Sequence, residues 1–321
     1  MFTYVRQYNA WSGGILSLNM YATQGGIAVK GIVLAGGFGT HLYPMTFSGS
    51  KHLLPIYDKP LVYYSLATLM KADIRDVLFI VNPQDMASYQ AHFGDGSQLG
   101  LNISYKAQVS RDGIAQAFLI GEDFIGDDRV ALILADSIFY GSGFDLNLRE
   151  ALDRDKGATV FGYRVNDPER FAVIDFGEDK KVTYIEEKPE EARTKYVATG
   201  LYVYDNKVVE YAKKLKPSAR GELEITDLNQ MYLDHKQLYT TTLPEGFAWF
   251  CPRTVDELFH AGEFIRVVQQ STGTKIASIE EIAYRKGWIG RAQLLSLASK
   301  IAKTEYGKYL EGIALSTESA K

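Results

Sequence analysis

The residues with the most chemistry in them sit in short clusters at the ends of apolar runs. Gly36-Gly37-Phe38-Gly39-Thr40 follows one such run, Val29–Ala35. Glycines placed there admit positive φ and let backbone N–H groups close around phosphate oxygens. Two familiar phosphate loops are excluded by spacing. A dinucleotide fingerprint starting at Gly37 and Gly39 would need glycine where Leu42 stands. A Walker A loop needs Lys and then Ser/Thr directly after its last glycine, and Thr40-His41 follow Gly39 instead. The loop is therefore a candidate for nucleotide phosphate of another kind, or a tight turn without a ligand. Asp136 ends a second apolar run, residues 130–135, where a carboxylate can project into the crevice beyond strand ends. A capping or turn acid is the plain alternative.

The elements that must position these residues follow from hydrophobic pattern. Residues 77–81, 103–108 and 130–135 read as further buried strands, and 60–71, 85–92 and 113–124 as helices, with Pro83 at a helix start. Strands alternating with helices imply parallel pairing through right-handed crossovers, hence a doubly wound, mostly parallel α/β sheet. The second half changes character. Residues 158–164, 171–176, 182–187 and 198–204 form a β-rich insertion, with a hairpin turn at 177–180. Capping boxes at Thr254/Glu257 and Ser278/Glu281 mark later helices, and Gly287 and Gly290 read as helix stops. The expected organisation is a poorly ordered extension (1–29), a catalytic domain (30–270) and a helical C-terminal segment (271–321).

Composition narrows the partners. The 321 residues carry 35 Lys+Arg against 39 Asp+Glu, a net charge of −4, which gives no overall attraction to nucleic acid or an anionic membrane. The single cysteine, Cys251, excludes an intrachain disulfide framework and a cysteine-based zinc cluster, and points to a reducing, cytoplasmic setting.

Five motifs in order turn these fragments into a family likeness. Leu34-Ala35-Gly36-Gly37-Phe38-Gly39-Thr40-His41-Leu42-Tyr43-Pro44 runs on to Ser50-Lys51-His52-Leu53-Leu54-Pro55. Leu134-Ala135-Asp136-Ser137, Glu186-Glu187-Lys188-Pro189, Thr199-Gly200-Leu201-Tyr202 and Arg220-Gly221-Glu222-Leu223-Glu224-Ile225-Thr226 follow. From about residue 30 to the C-terminus the chain resembles the sugar-1-phosphate nucleotidyltransferases, and most closely the glucose-1-phosphate thymidylyltransferases of deoxysugar pathways. The resemblance implies transfer of a nucleotidyl group from dTTP (or UTP) to a hexose 1-phosphate with release of pyrophosphate. Positioning and cations dominate such a reaction, and Mg2+ is the implied cofactor, with Asp136 as its ligand. Leu34, Gly36, Gly37, Gly39, Thr40, Gln108 and Gly113 would then bind nucleotide. Ala172, Glu187, Lys188, Ala198 and Tyr202 would bind the sugar phosphate, beside a pocket wall at Trp249. Lys51, Asp136 and Lys188 would be the catalytic set. A homotetramer is implied by the same resemblance.

Several departures fall on the family's working positions. His41 stands where an arginine binds the triphosphate, and histidine near neutral pH is mostly uncharged. Cys251-Pro252-Arg253 replaces Asp-Thr-Gly, whose aspartate is the second metal ligand, and a thiol is a poor ligand for magnesium. Ala172 replaces a glycine, His52 a glutamine, Ala107 an acid, Val109 a proline, Ala135 a glycine and Ser137 an asparagine. These leave two readings: a thymidylyltransferase with turnover reduced at His41 and Cys251, or a catalytically weak nucleotide-sugar binder with a regulatory or assembly role.

Overall fold

The computed structural model describes residues 28–316. Residues 1–27 of the expected extension, and 317–321, lie outside the described residues. Strand β1 (Val29–Ala35) is followed by a small hairpin of β2 (Pro55–Ile56) and β3 (Lys59–Pro60), which leads into the helix Val62–Lys71. Next come β4 (Asp76–Val81), β5 (Asn102–Ala107) and β6 (Arg129–Leu134). β1 pairs in parallel with both β4 and β6, and β4 pairs in parallel with β5. The chain thus builds outward from β1 on one side and then returns to its other side. That reversal between β1 and β6 is a topological switch point, where an open α/β sheet opens a crevice beyond its strand ends.

β7 (Ile138–Tyr140) leaves the sheet. β8 (Ala158–Arg164), β9 (Ala172–Phe176), β10 (Val182–Glu187) and β11 (Tyr196–Tyr204) extend it as the expected β-rich insertion, and β12 (Leu238–Thr242), a strand outside that expectation, pairs in parallel with β8. The continuous path runs β10-β9-β11-β6-β1-β4-β5. β11 is the seam: it lies antiparallel to β6 on one side and to β8 and β9 on the other. Finally β13 (Ala248–Phe250) pairs antiparallel with β7, away from the main sheet.

Alternation along the central strands divides the core between the two sheet faces, as a sheet covered on both sides requires. Val33, Val77, Phe79 and Val81 join one cluster with the helix Val62–Lys71 and with Ile279, Leu294 and Leu310 of the C-terminal helices. Ile32, Leu34, Leu78 and Ile80 join the other, with Phe118, Val208, Leu228 and Tyr232.

Some local expectations are corrected. The helix expected over 113–124 is two short ones, Gln116–Ile120 and Glu122–Ile125, with Gly121 between them and Gly113 outside at φ 96°. Pro83 opens a 3-10 turn, Pro83–Asp85, ahead of the helix Met86–Phe93. Thr254 and Glu257 do form a capping box, on the helix Val255–Thr272. Ser278 makes no side-chain cap: its hydroxyl takes Tyr306 Oη at 3.1 Å, while Glu281 takes Arg285 and Tyr309. Gly287 stands past the end of Ile279–Arg285 at φ 70°, but Gly290 starts the helix Arg291–Lys300 as its N-cap. A last helix spans Glu305–Leu315. Among the described residues no helix is long and apolar enough to cross a membrane.

Candidate active site

The crevice at the switch point holds two adjoining cavities. One, of about 210 Å³, is lined by Leu34, Gly36, Gly37, Lys51, Gln108, Gly113 and Asp136, together with His52 and Arg111. The other, of about 130 Å³, is lined by Ala172, Glu187, Lys188, Ala198, Tyr202, Trp249 and Cys251, together with Arg170, Arg220 and Arg253. Ile114, Leu134 and Glu222 line both. The residues expected to meet nucleotide and those expected to meet sugar phosphate therefore gather on opposite sides of a shared wall. Gly39 and Thr40 line neither cavity; Gly39 turns the backbone at φ 64° into the 3-10 turn Thr40–Leu42. His41, on that turn, is exposed and lines neither.

The first cavity is shaped by close approach. A Cβ at Gly36 would lie 1.9 Å from the Gln108 side-chain oxygen, so glycine is what lets that amide cross the end of β1. Gln108 is buried, donates to Gln116 Oε1 at 2.8 Å, and so presents a fixed amide. At Gly113 a Cβ would lie 2.3 Å from the Leu223 carbonyl oxygen. Leu223 N donates to Asp112 O, and Ala115 N to Leu223 O, so the 108–116 segment is stitched to the Arg220-to-Glu224 motif. Arg111 stacks its guanidinium 3.7 Å from the centroid of Phe38, closing the glycine loop over the cavity.

Lys51 and Asp136 form an ion pair at the floor, with side chains only 14% and 11% exposed. Burial works against charge on Lys51, yet Asp136 holds its ammonium above the ordinary lysine range. Burial likewise opposes ionisation of Asp136, and Lys51 with its neighbours brings the carboxyl down to about 2. Asp136 Oδ2 takes Lys51, whereas the buried Oδ1 has no partner among the described residues. His52 is buried behind them; desolvation, reinforced by Lys51, lowers its pKa to about 3, so the ring is neutral.

Cys251 reaches this floor through strand register. Phe250 pairs with Ile138 in the β13–β7 ribbon, which lays residue 251 alongside the Asp136-Ser137 turn. Burial, then Asp136, pushes the thiol up to about 12, so it is protonated and uncharged. Among the described residues no three His, Cys, Asp or Glu side chains come together to hold a metal ion. The open oxygen of Asp136 does fit a hard divalent cation shared with substrate phosphates, and the neutral thiol adds nothing to that site.

The sugar side ends on β10. Glu187 accepts from Thr226 Oγ1 at 2.6 Å, with Arg220 and Lys188 each 3.6 Å from its other oxygen. Lys188 stands at φ 46°, unusual for a side chain of its size, and donates its backbone N–H to Phe171 O at 3.0 Å. Tyr202 is buried, and burial raises its pKa. A Cβ on Gly200 would fall 2.3 Å from Ser137 Oγ, so the β11 bulge packs directly behind Asp136. Arg111, Arg170, Arg220, Glu222 and Thr226 were not singled out from sequence as site residues. The Arg220-to-Thr226 motif was the available signal for three of them.

Comparison with known proteins gives the family. Residues 30–266 match the model of the nucleotidyl transferase family. A glucose-1-phosphate thymidylyltransferase of Neisseria meningitidis is 52% identical over 88% of this chain and 98% of its own length. Others from Xanthomonas campestris pv. campestris and Mycobacterium tuberculosis are 52% and 46% identical, over 89% and 88% of this chain. A Bacillus anthracis crystal structure provisionally given the same activity, in complex with sucrose, superposes with a TM-score of 0.69 at 40% identity, covering 74% of this chain and 96% of that one. A UDP-glucose pyrophosphorylase bound to UDP-glucose, at 22% identity and a TM-score of 0.66, covers 75% of this chain and all of that one, and shares the fold.

Proposed function

Since the chain belongs to the nucleotidyl transferase family, we propose that it is a glucose-1-phosphate thymidylyltransferase, making dTDP-glucose and pyrophosphate from dTTP and glucose 1-phosphate. The observation that carries this reading is the pair of adjoining cavities at the switch point, with the Lys51–Asp136 ion pair on the floor of the first. Gln108 reads the base edge, and Gly36, Gly37 and Gly113 let backbone come close to the nucleotide. Glu187 accepts from sugar hydroxyls, while Ala172, Ala198 and Tyr202 wall the hexose.

A phosphate oxygen of glucose 1-phosphate attacks the α-phosphorus in line. The new O–P bond forms as the bond to the bridging oxygen breaks, and pyrophosphate leaves with that electron pair. No proton has to move, so the burden falls on positioning and charge. Lys51 and Lys188 supply fixed positive charge from either side of the reacting centre. Asp136 would hold Mg2+ through its free oxygen, and the ion would neutralise phosphate charge there. The weak-binder alternative is not favoured, because relatives matched over nearly their whole length are named as the transferase.

Purified protein incubated with dTTP, glucose 1-phosphate and MgCl2 should release pyrophosphate and dTDP-glucose. Absence of product at saturating substrates would sink the reading. Assembly as a tetramer belongs to the same proposal, with light scattering as its check.

A further inference from the structure

We infer that Arg253 is an anion-contacting residue of this site, meeting the sugar-side phosphate through its guanidinium. The inference rests on the thymidylyltransferase reading and deepens it. Among the described residues, four side-chain cations line the sugar-side cavity: Arg170, Lys188, Arg220 and Arg253. Three of them have a carboxylate. Arg170 takes Glu257 at 2.6 Å and Asp167 at 2.9 Å, Arg220 takes Glu224 at 2.9 Å, and Lys188 lies 3.6 Å from Glu187.

Arg253 has none among the described residues. Its guanidinium lies 5.1 Å from the Phe171 ring centroid and reaches the Arg170 carbonyl oxygen at a long 3.4 Å. Of the two acids that follow in sequence, Asp256 forms no ion pair with it among the described residues, and Glu257 is already taken by Arg170 and receives from Arg253 only the backbone N–H. A guanidinium resting on an aromatic face is held in place while its N–H edges stay available, and those edges match a phosphate bidentately.

Its position puts that charge where the two substrates meet. Arg253 lines the sugar-side cavity, yet its field also reaches Asp136 and Lys51 on the floor of the other one. The helix that follows fixes the approach, since the Thr254–Glu257 capping box anchors the backbone directly after Arg253. Asp136 is the floor carboxylate with an oxygen open to a cation, so a permanently charged guanidinium nearby takes part of the neutralisation a second metal ligand would otherwise support.

The test is calorimetric titration of dTDP-glucose and of thymidine in excess EDTA, on wild type, Arg253→Gln and Arg253→Lys. Arg253→Gln should bind dTDP-glucose about 10- to 100-fold more weakly, the usual range for losing a charge-assisted hydrogen bond. Its thymidine affinity should stay within about threefold of wild type, since that ligand carries no phosphate. Arg253→Lys should recover much of the loss, and in turnover Arg253→Gln should need more Mg2+ for half-maximal rate. Unchanged melting temperatures exclude misfolding as the cause. Equal dTDP-glucose affinity in wild type and Arg253→Gln would overturn the assignment while leaving the transferase reading intact. A wild-type protein that binds neither ligand would remove that reading and this inference with it.

Discussion

Lys51 and Asp136 neutralise one another in the free protein, but they are not equally costly to leave alone. Replacing Asp136 with Asn strands a buried ammonium, which costs roughly 3–5 kcal/mol. Asp136→Asn should therefore lose both stability and turnover. Lys51→Met leaves a carboxylate that a cation can still meet, so its main effect should be kinetic, about 10³-fold in kcat/KM. Chemical denaturation beside pyrophosphate-release kinetics separates the two, and equal stability losses would contradict this asymmetry. His52 gives a pH signature of its own. The unfolded chain protonates it below its ordinary 6.5, whereas the folded protein excludes that proton until about 3. Stability should fall as pH drops through that window. Asp136 adds a second loss lower down, between its ordinary 3.8 and about 2. His52→Gln removes the first loss, so its melting temperature should decline less from pH 6.5 to about pH 4, by several degrees. Parallel curves for the two proteins would refute this.

At the scale of elements, the glycines decide whether the two halves of the crevice fit together. Gly113 has φ 96° and backbone atoms of Leu223 against its α-carbon, so Gly113→Ala combines a strained backbone with a clash that no side-chain rotation relieves. A loss of roughly 2–4 kcal/mol is expected, with a raised KM for dTTP, because the strand-end amide of Gln108 shares that segment. A melting temperature within a degree of wild type would rule the stitching out. Gly36, Gly113 and Gly200 were visible in the sequence as glycines within its motifs, but the atoms they make room for were not. The strands themselves were legible because their apolar runs are short and bounded. Where local signals failed, tertiary partners had intervened. Ser278 followed by Glu281 has the pattern of a capping box, yet Tyr306, Tyr309 and Arg285 claim both side chains. The placing of Cys251 beside Asp136 depends on the register of the β13–β7 ribbon, which no spacing along the chain expresses. The glycine loop also promised more than it delivers directly: Gly39 and Thr40 turn the chain, and Gly36 and Gly37 face the cavity.

The whole molecule joins the C-terminal helices to the crevice through one buried polar cluster. Lys59, 4% exposed, sits in the hairpin that closes the signature stretch after Lys51. It pairs with Asp58, which also receives Lys275 at 2.7 Å and Gln269 Nε2 at 3.0 Å. Gln269 Oε1 in turn accepts from Ile276 N at 2.8 Å, at the start of the tail. Ile276, Ile279, Leu294 and Leu310 then share a core with Val33 of β1 and Phe79 of β4. A chain ending at Gln270 would lose Lys275 from Asp58 and open that face of the core to water. The apolar loss alone is large, since each fully buried aliphatic side chain contributes about 1.5–3 kcal/mol. The tail should therefore not behave as a separable unit. Full-length protein should unfold in one cooperative calorimetric transition, and the truncated chain should be insoluble or melt far lower. If the truncated protein kept its melting temperature and its turnover, the tail would be an appendage, and the cluster at Asp58 would have no part in holding the crevice.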